Sequence, residues 1–207
     1  MTRPVCILIA AMGGEGGGVL ADWLIDAATH MDFPVQSTSV PGVAQRTGAT
    51  TYYVEIFPIP RAQLQGREPV LSLTPTIGEV HILAASELVE AGRAIQNGFV
   101  SAERTVLIAS THREYAVSEK SAMGDGRYDA QLVLDAAAST ARTCVLFDMR
   151  AAAQQLQTVI NTVLFGAMAS SGVLPLTREA CEEAIRQSGK AVEASLRAAH
   201  GKLRFTI

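Results

Sequence analysis

The sequence predicts an α/β protein in which helices cover both faces of a mostly parallel sheet, a three-layer, Rossmann-like αβα fold. Short apolar runs of strand length alternate along the chain with segments of helical periodicity. The first apolar run ends in a glycine-rich turn that leads directly into a helical pattern. Because parallel strands need crossover connections, this alternation favours a parallel sheet buried between helices.

The first part of the chain carries the clearest periodicity. Residues 5–10 form a continuous apolar run, which predicts a buried strand. Residues 19–29 predict an amphipathic helix. Its apolar face carries Leu20, Trp23 and Leu24. Further strands are predicted over residues 34–39 and 50–57, with a short extra one over residues 70–73.

The same alternation continues to the end of the chain. Buried strands are predicted over residues 79–85, 105–109 and 144–147. Helices are predicted over residues 88–95, 130–142, 149–171, 178–188 and 190–199. We find no internal repeat, so the whole of residues 1–207 is expected to form a single domain around one sheet.

Composition narrows the class of function. The chain has 207 residues, of which 48% are hydrophobic, so it can bury one sizeable core. Its net charge of −3 gives no reason to expect nucleic acid or an anionic membrane as a partner. No run of about 18 apolar residues is present, and residues 1–4 lead directly into a strand without a signal peptide. We therefore expect a cytoplasmic location.

The cysteines and histidines predict no metal site. Cys6, Cys144 and Cys181 are widely separated and form no Cys-x-x-Cys pair, so they cannot supply the four ligands that an iron–sulfur cluster usually needs. Cys6 and Cys144 lie in apolar runs and are expected to be small core residues. Three of the four histidines fall away from the predicted ligand-binding edge and form no ligand cluster: His30, His81 and His200.

The glycine-rich turn over residues 13–18 has two interpretations. Glycines let a backbone approach a phosphate, and the N–H groups at the start of the next helix attract an anion. The same glycines also serve to pack a helix closely on a strand. Glu15 places a carboxylate inside the turn, where it would repel phosphate. It could instead stabilise the helix N-terminus, or reach a positively charged group on a partner chain.

Ligands in parallel sheets bind beyond the carboxyl ends of the strands, so the polar residues there are candidates. These are Gly13, Gly14, Glu15 and Gly16; residues 40–47, which include Gln45 and Arg46; Ser86 and Glu87; and Ser110, Thr111, His112 and Arg113. The residues predicted to contact a cofactor are Gly13, Gly14, Glu15, Gly16, Gln45, Arg46 and Ser110. No residue is predicted to be catalytic.

Some of these candidates have simpler interpretations that the sequence leaves open. Gln45 and Arg46 could belong to a solvated surface loop. Glu87 could be a charge at the start of a helix, and His112 a solvent-facing loop histidine rather than a base.

A nicotinamide cofactor does not fit the sequence. Dinucleotide-binding folds carry an acidic residue at the end of the second strand, where it binds the ribose hydroxyls. Residues 36–40 read Gln-Ser-Thr-Ser-Val and contain no acidic residue. Arg46 lies several residues too far along the chain to hold the extra phosphate of NADP.

Two segments together resemble one family. The turn Ala11-Met12-Gly13-Gly14-Glu15-Gly16 is similar to a Gly-x-Gly-Gly-Gln-Gly motif, and Gln45-Arg46-Thr47-Gly48 matches a Gln-Arg-x-Gly motif that precedes a strand. The chain thus resembles the gamma subunit or domain of 2-oxoacid:ferredoxin oxidoreductases. Within that family, its sequence is most similar to the indolepyruvate (arylpyruvate) oxidoreductase beta subunit. It departs from the motif at Ala11 and Glu15, where the family has glycine and glutamine.

The resemblance implies a division of labour between two chains. The complex would decarboxylate a 2-oxoacid oxidatively to an acyl-CoA and pass electrons to ferredoxin. Thiamine diphosphate, Mg²⁺ and 4Fe–4S clusters would lie on a larger partner subunit, while this chain contributes to coenzyme A binding and assembly and is inactive alone. Gly124-Asp125-Gly126 is not a thiamine motif, since no strand precedes it and no paired asparagines follow. A stand-alone nucleotide-binding or assembly module, and a homodimer of the isolated chain, remain open.

Overall fold

A computed structural model describes residues 2–41, 49–115, 117–121, 126, 128–189, 192 and 195. The strands are β1 (Val5–Met12), β2 (Val35–Val40), β3 (Ala49–Ile56), β4 (Ile82–Ala85), β5 (Val106–Ser110) and β6 (Thr143–Phe147). The helices are α1 (Gly17–His30), α2 (Leu88–Gln96), α3 (Val117–Lys120), α4 (Ala130–Thr140), α5 (Met149–Gln155), α6 (Ile160–Ala169) and α7 (Arg178–Ser188).

The described residues form one six-stranded sheet with the order β2-β3-β1-β4-β5-β6. β1, β4, β5 and β6 pair in parallel, with Ile7 opposite Ile82 and Ile82 opposite Val106. β3 runs antiparallel to both of its neighbours, so the β2–β3 hairpin places β3 between β2 and β1. The prediction of a mostly parallel sheet in a three-layer fold is confirmed.

Helices pack on both faces of the sheet around two hydrophobic clusters. Successive residues of β1 point to opposite faces, so Ile7 and Ile9 enter one cluster while Leu8 enters the other. The first cluster lies under α1, α5, α6 and α7, where Trp23 packs against Phe165 with ring centroids 5.4 Å apart. The second lies under α2 and α4 and contains many alanines. Short side chains there let helices lie close to the sheet.

The predicted strand over residues 70–73 is wrong. These residues form an irregular segment in which Val70 is 97% exposed. The backbone N–H of Ser72 donates to Glu55 Oε2 at 2.7 Å, and the hydroxyl of Thr38 donates to the Leu73 carbonyl at 2.7 Å. The segment is therefore held by side chains of β2 and β3 rather than by a strand ladder. Its apolar residues have the pattern of a strand, but the segment does not pair with any strand of the described sheet.

The predicted helix over residues 149–171 is two helices. α5 ends at Gln155 and α6 begins at Ile160, and between them Gln157 adopts a positive φ of 52°. A left-handed residue cannot continue a helix, so the chain changes direction there. The other predicted elements among the described residues agree with the structure, apart from their ends. The predicted helix over residues 190–199 lies almost entirely outside the described residues.

Within the part of the chain that the structure describes, no helix is both long enough and apolar enough to cross a bilayer.

We expect Gly17→Ala to lower the free energy of unfolding by about 1–3 kcal/mol, the usual cost of overpacking. A Cβ at Gly17 would lie 2.5 Å from Ala11 Cβ and 2.8 Å from the Tyr52 ring, so the helix would have to move off the sheet. Gly18→Ala is the matched control, because its Cβ would come no closer than 3.4 Å to Tyr52. Urea unfolding of both variants tests this. Equal stability would show that Gly17 is not needed for the close contact.

Candidate functional site

The turn after β1 depends on two glycines with positive φ. Gly14 has a φ of 90° and Gly16 a φ of 76°, a conformation that is unfavourable for residues with a Cβ. The Glu15 N–H donates to the Met12 carbonyl at 3.0 Å, which closes the turn. Gly16 then caps α1 without a side-chain hydrogen bond, and the first turn of the helix carries no acidic residue. The N–H groups at the start of α1 are therefore not capped by any described side chain.

Glu15 is the centre of a polar cluster at this edge of the sheet. Its Oε1 accepts a hydrogen bond from Arg150 Nη2 at 2.9 Å, and its Oε2 accepts one from the Ser86 hydroxyl. His112 Nε2 lies 3.3 Å from Oε1, within ion-pair range but not aligned for a hydrogen bond. Burial alone would raise the pKa of Glu15, but contacts with His112, Ser86 and Arg150 outweigh it and lower the pKa. The carboxylate is therefore ionised at neutral pH.

The sequence left open how Glu15 would be compensated. Neither a helix-stabilising role nor a partner chain is needed, because Arg150 of the same chain neutralises the carboxylate. Arg150 also donates to Glu114 Oε2 at 2.9 Å, so one guanidinium joins two carboxylates. Its side chain is 43% exposed, which leaves part of the guanidinium open to a ligand.

Arg150 was missed by the sequence analysis. It lies in the first turn of α5, directly after β6. The signal that could have found it is positional, because β6 is the fourth parallel strand and its carboxyl end meets the same edge as those of β1, β4 and β5. The candidate set included the ends of the other three strands but not this one.

Ser110 and His112 extend the cluster inward. The Ser110 hydroxyl lies 2.7 Å from His112 Nδ1 and accepts a hydrogen bond from the Met149 N–H at 3.0 Å. Ser110, His112 and Glu15 thus contact one another in the order of a nucleophile, its base and a carboxylate that orients the base. Ser110 is however fully buried, so no substrate can reach its hydroxyl. The three residues hold the ends of β1 and β5 together instead.

Glu87 and Arg113 have structural roles in the adjacent loop. Glu87 caps α2, because its carboxylate accepts from the Val89 N–H at 2.7 Å. Arg113 Nε lies 3.0 Å from Glu87 Oε1, and its Nη2 pairs with the buried Glu119. The interpretation of Glu87 as a charge at a helix start fits this geometry.

Burial keeps the cysteine thiols in their protonated form. Burial raises the pKa of Cys6 and of Cys181 to about 11, and it also raises the pKa of Cys144. The thiols therefore stay protonated at neutral pH. Cys6 donates its thiol proton toward Glu55 at 3.6 Å, and Cys144 toward the Ala137 carbonyl at 3.2 Å. The prediction that Cys6 and Cys144 are core residues holds only in part, because both are partly buried and pack against the edge of the second hydrophobic cluster.

A cavity of about 480 Å³ opens beside the glycine turn. It lies between α1 and the α5–α6 region, and its wall is mainly apolar. The lining residues are Gly14, Glu15, Gly16, Val19, Trp23, Arg150, Ala153, Gln154, Thr158, Val159, Ile160, Asn161 and Ser195. Within the described structure three side-chain atoms of this lining are buried without a hydrogen-bond partner: Trp23 Nε1, Thr158 Oγ1 and Asn161 Oδ1.

The structure brings most of the predicted contact residues to one edge. Gly13, Gly14, Glu15 and Gly16 form the turn, and Ser110 lies beneath it through His112. Gln45 and Arg46 lie outside the described residues. The flanking Val40 and Ala49 end and begin strands at this edge, since Ala49 pairs with Met12 at the end of β1.

Comparison with known proteins identifies the family. A family model described as "Pyruvate ferredoxin/flavodoxin oxidoreductase" matches residues 6–201. The chain belongs to this family. No curated protein gives a significant match.

Solved structures share the fold at low identity. A 2-oxoglutarate:ferredoxin oxidoreductase from Magnetococcus marinus, solved with 2-oxoglutarate, coenzyme A and succinyl-CoA, matches with a TM-score of 0.64 and 14% identity. The match covers 97% of this chain and 30% of that one, so this chain spans less than a third of its length.

Two small subunits match over nearly their whole length. A pyruvate oxidoreductase subunit from Thermotoga maritima gives a TM-score of 0.60 at 16% identity, over 95% of this chain and 93% of that one. The gamma subunit of a keto/oxoacid ferredoxin oxidoreductase from Geobacter sulfurreducens gives a TM-score of 0.59 at 19% identity. This match covers 95% of this chain and 94% of that one. The chain thus shares its fold with both of these subunits over nearly its whole length.

The ionised Glu15 predicts a pH-dependent stability. Its pKa is lower in the folded than in the unfolded state, so its contribution is complete above the unfolded pKa of about 4.3 and is lost as the pH falls through the folded value. In Glu15→Gln we therefore expect the free energy of unfolding to fall less steeply on acidification below about pH 4.3. Urea unfolding at a series of pH values measures this.

The control is Glu68→Gln. Its carboxylate is 64% exposed, and its ion pair with Arg61 Nε at 3.5 Å lies at the surface, where water screens it. Its acid dependence should match that of the unmodified chain. If Glu15→Gln also matched the unmodified chain, the carboxylate would not be stabilised by its partners.

Proposed function

We propose that this chain is the small subunit of a 2-oxoacid ferredoxin oxidoreductase, most like the indolepyruvate (arylpyruvate) enzyme. The observation that carries the proposal is the family match over residues 6–201, together with two small-subunit structures that the chain covers almost completely. The complex would convert a 2-oxoacid to an acyl-CoA with ferredoxin as the electron acceptor. We further propose that it works in the cytoplasm.

The catalytic cofactors are assigned to a larger partner subunit. Among the described residues, no group of three or more histidine, cysteine or acidic side chains is arranged to hold a metal ion. We therefore propose that thiamine diphosphate, Mg²⁺ and the iron–sulfur clusters lie on the partner, and that this chain completes the complex.

The role proposed for this chain toward coenzyme A is binding rather than chemistry. A relative of the same fold was solved with coenzyme A bound. The space around Gly14 is open, since a Cβ there would meet no described atom within 4 Å, and the N–H groups of α1 face this turn. Arg150 offsets the charge of Glu15, which reduces the repulsion that a phosphate near the turn would meet. Gln45 and Arg46 remain the proposed phosphate contacts of the neighbouring loop.

The larger subunit should restore activity that the isolated chain lacks. We expect the purified chain alone to give no 2-oxoacid-dependent reduction of ferredoxin or a viologen dye, because its sequence has no Cys-x-x-Cys pair for a cluster and no thiamine motif. Co-purified with a larger subunit that carries the cluster and thiamine motifs, it should support coenzyme A-dependent reduction with an arylpyruvate. Turnover by the isolated chain with NAD and a 2-oxoacid would contradict the proposal and favour a dehydrogenase.

Arg46→Ala should weaken coenzyme A binding in the assembled complex. Loss of one hydrogen bond between a guanidinium and a phosphate costs roughly 1.5–3 kcal/mol, so the KM for coenzyme A should rise about 10- to 100-fold while kcat for a saturating substrate changes little. Steady-state kinetics of the complex measure both quantities. Arg178→Ala is the control, because Arg178 lies on α7 and pairs with Glu182 at 2.7 Å. An unchanged KM, with unchanged assembly, would remove Arg46 from the site.

A further inference from the structure

We propose that the free edge of β2 pairs with β2 of a second copy of this chain, so that two six-stranded sheets join into one continuous sheet. The two strands run antiparallel about a two-fold axis at Ser37. The association does not depend on the proposed function, because it uses main-chain groups of β2 and none of the proposed coenzyme A contacts.

The outer edge of β2 has no partner in the described structure. β2 is the first strand of the sheet, so it has a strand neighbour on one side only. The Phe57 N–H donates to the Pro34 carbonyl at 2.9 Å at the start of the antiparallel β2–β3 ladder. Main-chain groups alternate in direction along such a ladder, so Val35, Ser37 and Ser39 turn theirs away from β3. No hydrogen bond between described residues involves these outward groups, and an edge of this kind can pair with another extended chain.

The outward groups of β2 are complementary to themselves. When Ser37 lies opposite Ser37 of a second copy, Val35 lies opposite the second copy's Ser39, and Ser39 opposite its Val35. Each facing pair then exchanges two N–H···O=C hydrogen bonds, as in any antiparallel ladder. A two-fold contact of this kind uses the same edge of both chains and is closed, so it produces a dimer rather than a fibre.

Apolar side chains beside this edge are exposed in the single chain. Val40 at the end of β2 is 63% exposed, and Leu73 is 61% exposed. The Thr38 hydroxyl donates to the Leu73 carbonyl at 2.7 Å, which holds the irregular segment against β2 one residue from the proposed axis. A hollow of about 290 Å³ opens between this segment and the sheet, and most of its lining is apolar. A second copy that covers this surface removes apolar area from water.

The surface around the edge carries no charge, which favours a second copy as its occupant. A two-fold axis brings residues close to their own counterparts, and like charges that face each other destabilise a strand pair. Residues 35–40, 49–54 and 70–77 contain no Asp, Glu, Lys or Arg, although 18% of the chain is charged. Glu55 of β3 is buried, at 5% exposed. Near the start of β2, Arg61 pairs with Glu68 at 3.5 Å, so no net charge opposes the contact there.

The pairing leaves the glycine turn of each copy free. Because the two β2 strands run antiparallel, the carboxyl edges of the two sheets face in opposite directions. The turn after β1 in one copy therefore lies far from the same turn in the other. Each copy can still contact a larger subunit and a ligand at its own carboxyl edge.

Sedimentation velocity of the purified full chain tests the association. At concentrations on the order of 100 μM we expect a species of twice the mass of one chain, which dissociates on dilution because one strand pair makes a small interface. Ser37→Pro removes the outward N–H at the axis and leaves the hydrogen bonds to β3 in place, so it should be monomeric. Ser37→Ala is the matched control, since it keeps that N–H and should dimerise like the unmodified chain. An unmodified chain that stays monomeric would overturn the proposal.

Two charge variants make the test independent of the effect of proline on folding. Ser37→Asp and Ser37→Lys each place like charges opposite each other across the axis, so each alone should be monomeric. An equimolar mixture should form dimers again, because a carboxylate then faces an ammonium group. Circular dichroism checks that both variants are folded. Single variants that dimerise like the unmodified chain, or a mixture of folded variants that stays monomeric, would overturn the pairing about Ser37.

The larger subunit is the other possible occupant of this edge, and co-purification distinguishes the two. Ser37→Pro should bind the larger subunit as well as the unmodified chain does and keep the same KM for coenzyme A. If the folded variant loses the larger subunit instead, the edge belongs to that subunit and the proposal is wrong. If the chain dimerises as expected but no 2-oxoacid supports coenzyme A-dependent turnover, only the proposed function fails.

Discussion

The carboxylate of Glu15 is the group on which the carboxyl edge of the sheet depends. It belongs to the turn after β1, yet its partners come from the ends of three other strands: Ser86 after β4, His112 after β5 and Arg150 after β6. A half-buried charge is costly unless it is compensated, so these partners must stay in place while the carboxylate is ionised. One charge thus ties together the ends of all four parallel strands. Arg150 reaches it from 135 residues further along the chain.

The glycines around Glu15 divide two tasks between them. Gly17 is needed for packing, because a Cβ there would collide with Ala11 and Tyr52. Gly14 has open space around it and a φ of 90°, so it is needed for the turn rather than for packing. The turn therefore satisfies both interpretations of the sequence, a close helix–strand contact and an accessible backbone. The backbone that can face a ligand is the part before α1, while the helix itself is fixed to the sheet.

Most of the fold could be predicted because its signals are local. The apolar runs of β1, β4, β5 and β6 and the amphipathic pattern of α1 are visible in short windows of sequence. The insertion of β3 between β1 and β2 could not be predicted, because strand order depends on contacts between distant segments. The same reason explains the failure at residues 70–73, where an apolar pattern met no neighbouring strand, and at Gln157, whose positive φ has no local sequence signal.

The candidate site was predicted only in part, for a related reason. Rules about sheet edges placed Gly13, Gly14, Glu15, Gly16 and Ser110 correctly on one edge, since they need only the end of each strand. The pairing of Glu15 with Arg150 required knowing where β6 lies. The cavity could not be predicted from the sequence at all, because its lining comes from α1 and from the break between α5 and α6.

Most polar groups at this edge are paired with one another, which restricts the chemistry that they can carry out. The side chains form a chain of contacts from Ser110 through His112 to Glu15, and Ser110 is buried beneath the turn. A base or nucleophile must be reachable and must be able to change its protonation state during a reaction. Here a change in the charge of Glu15 would break its pairing with Arg150. What remains for a ligand is the exposed part of Arg150 and the N–H groups at the start of α1. These groups are suited to contacting a ligand, in line with the binding role that we propose for this chain toward coenzyme A.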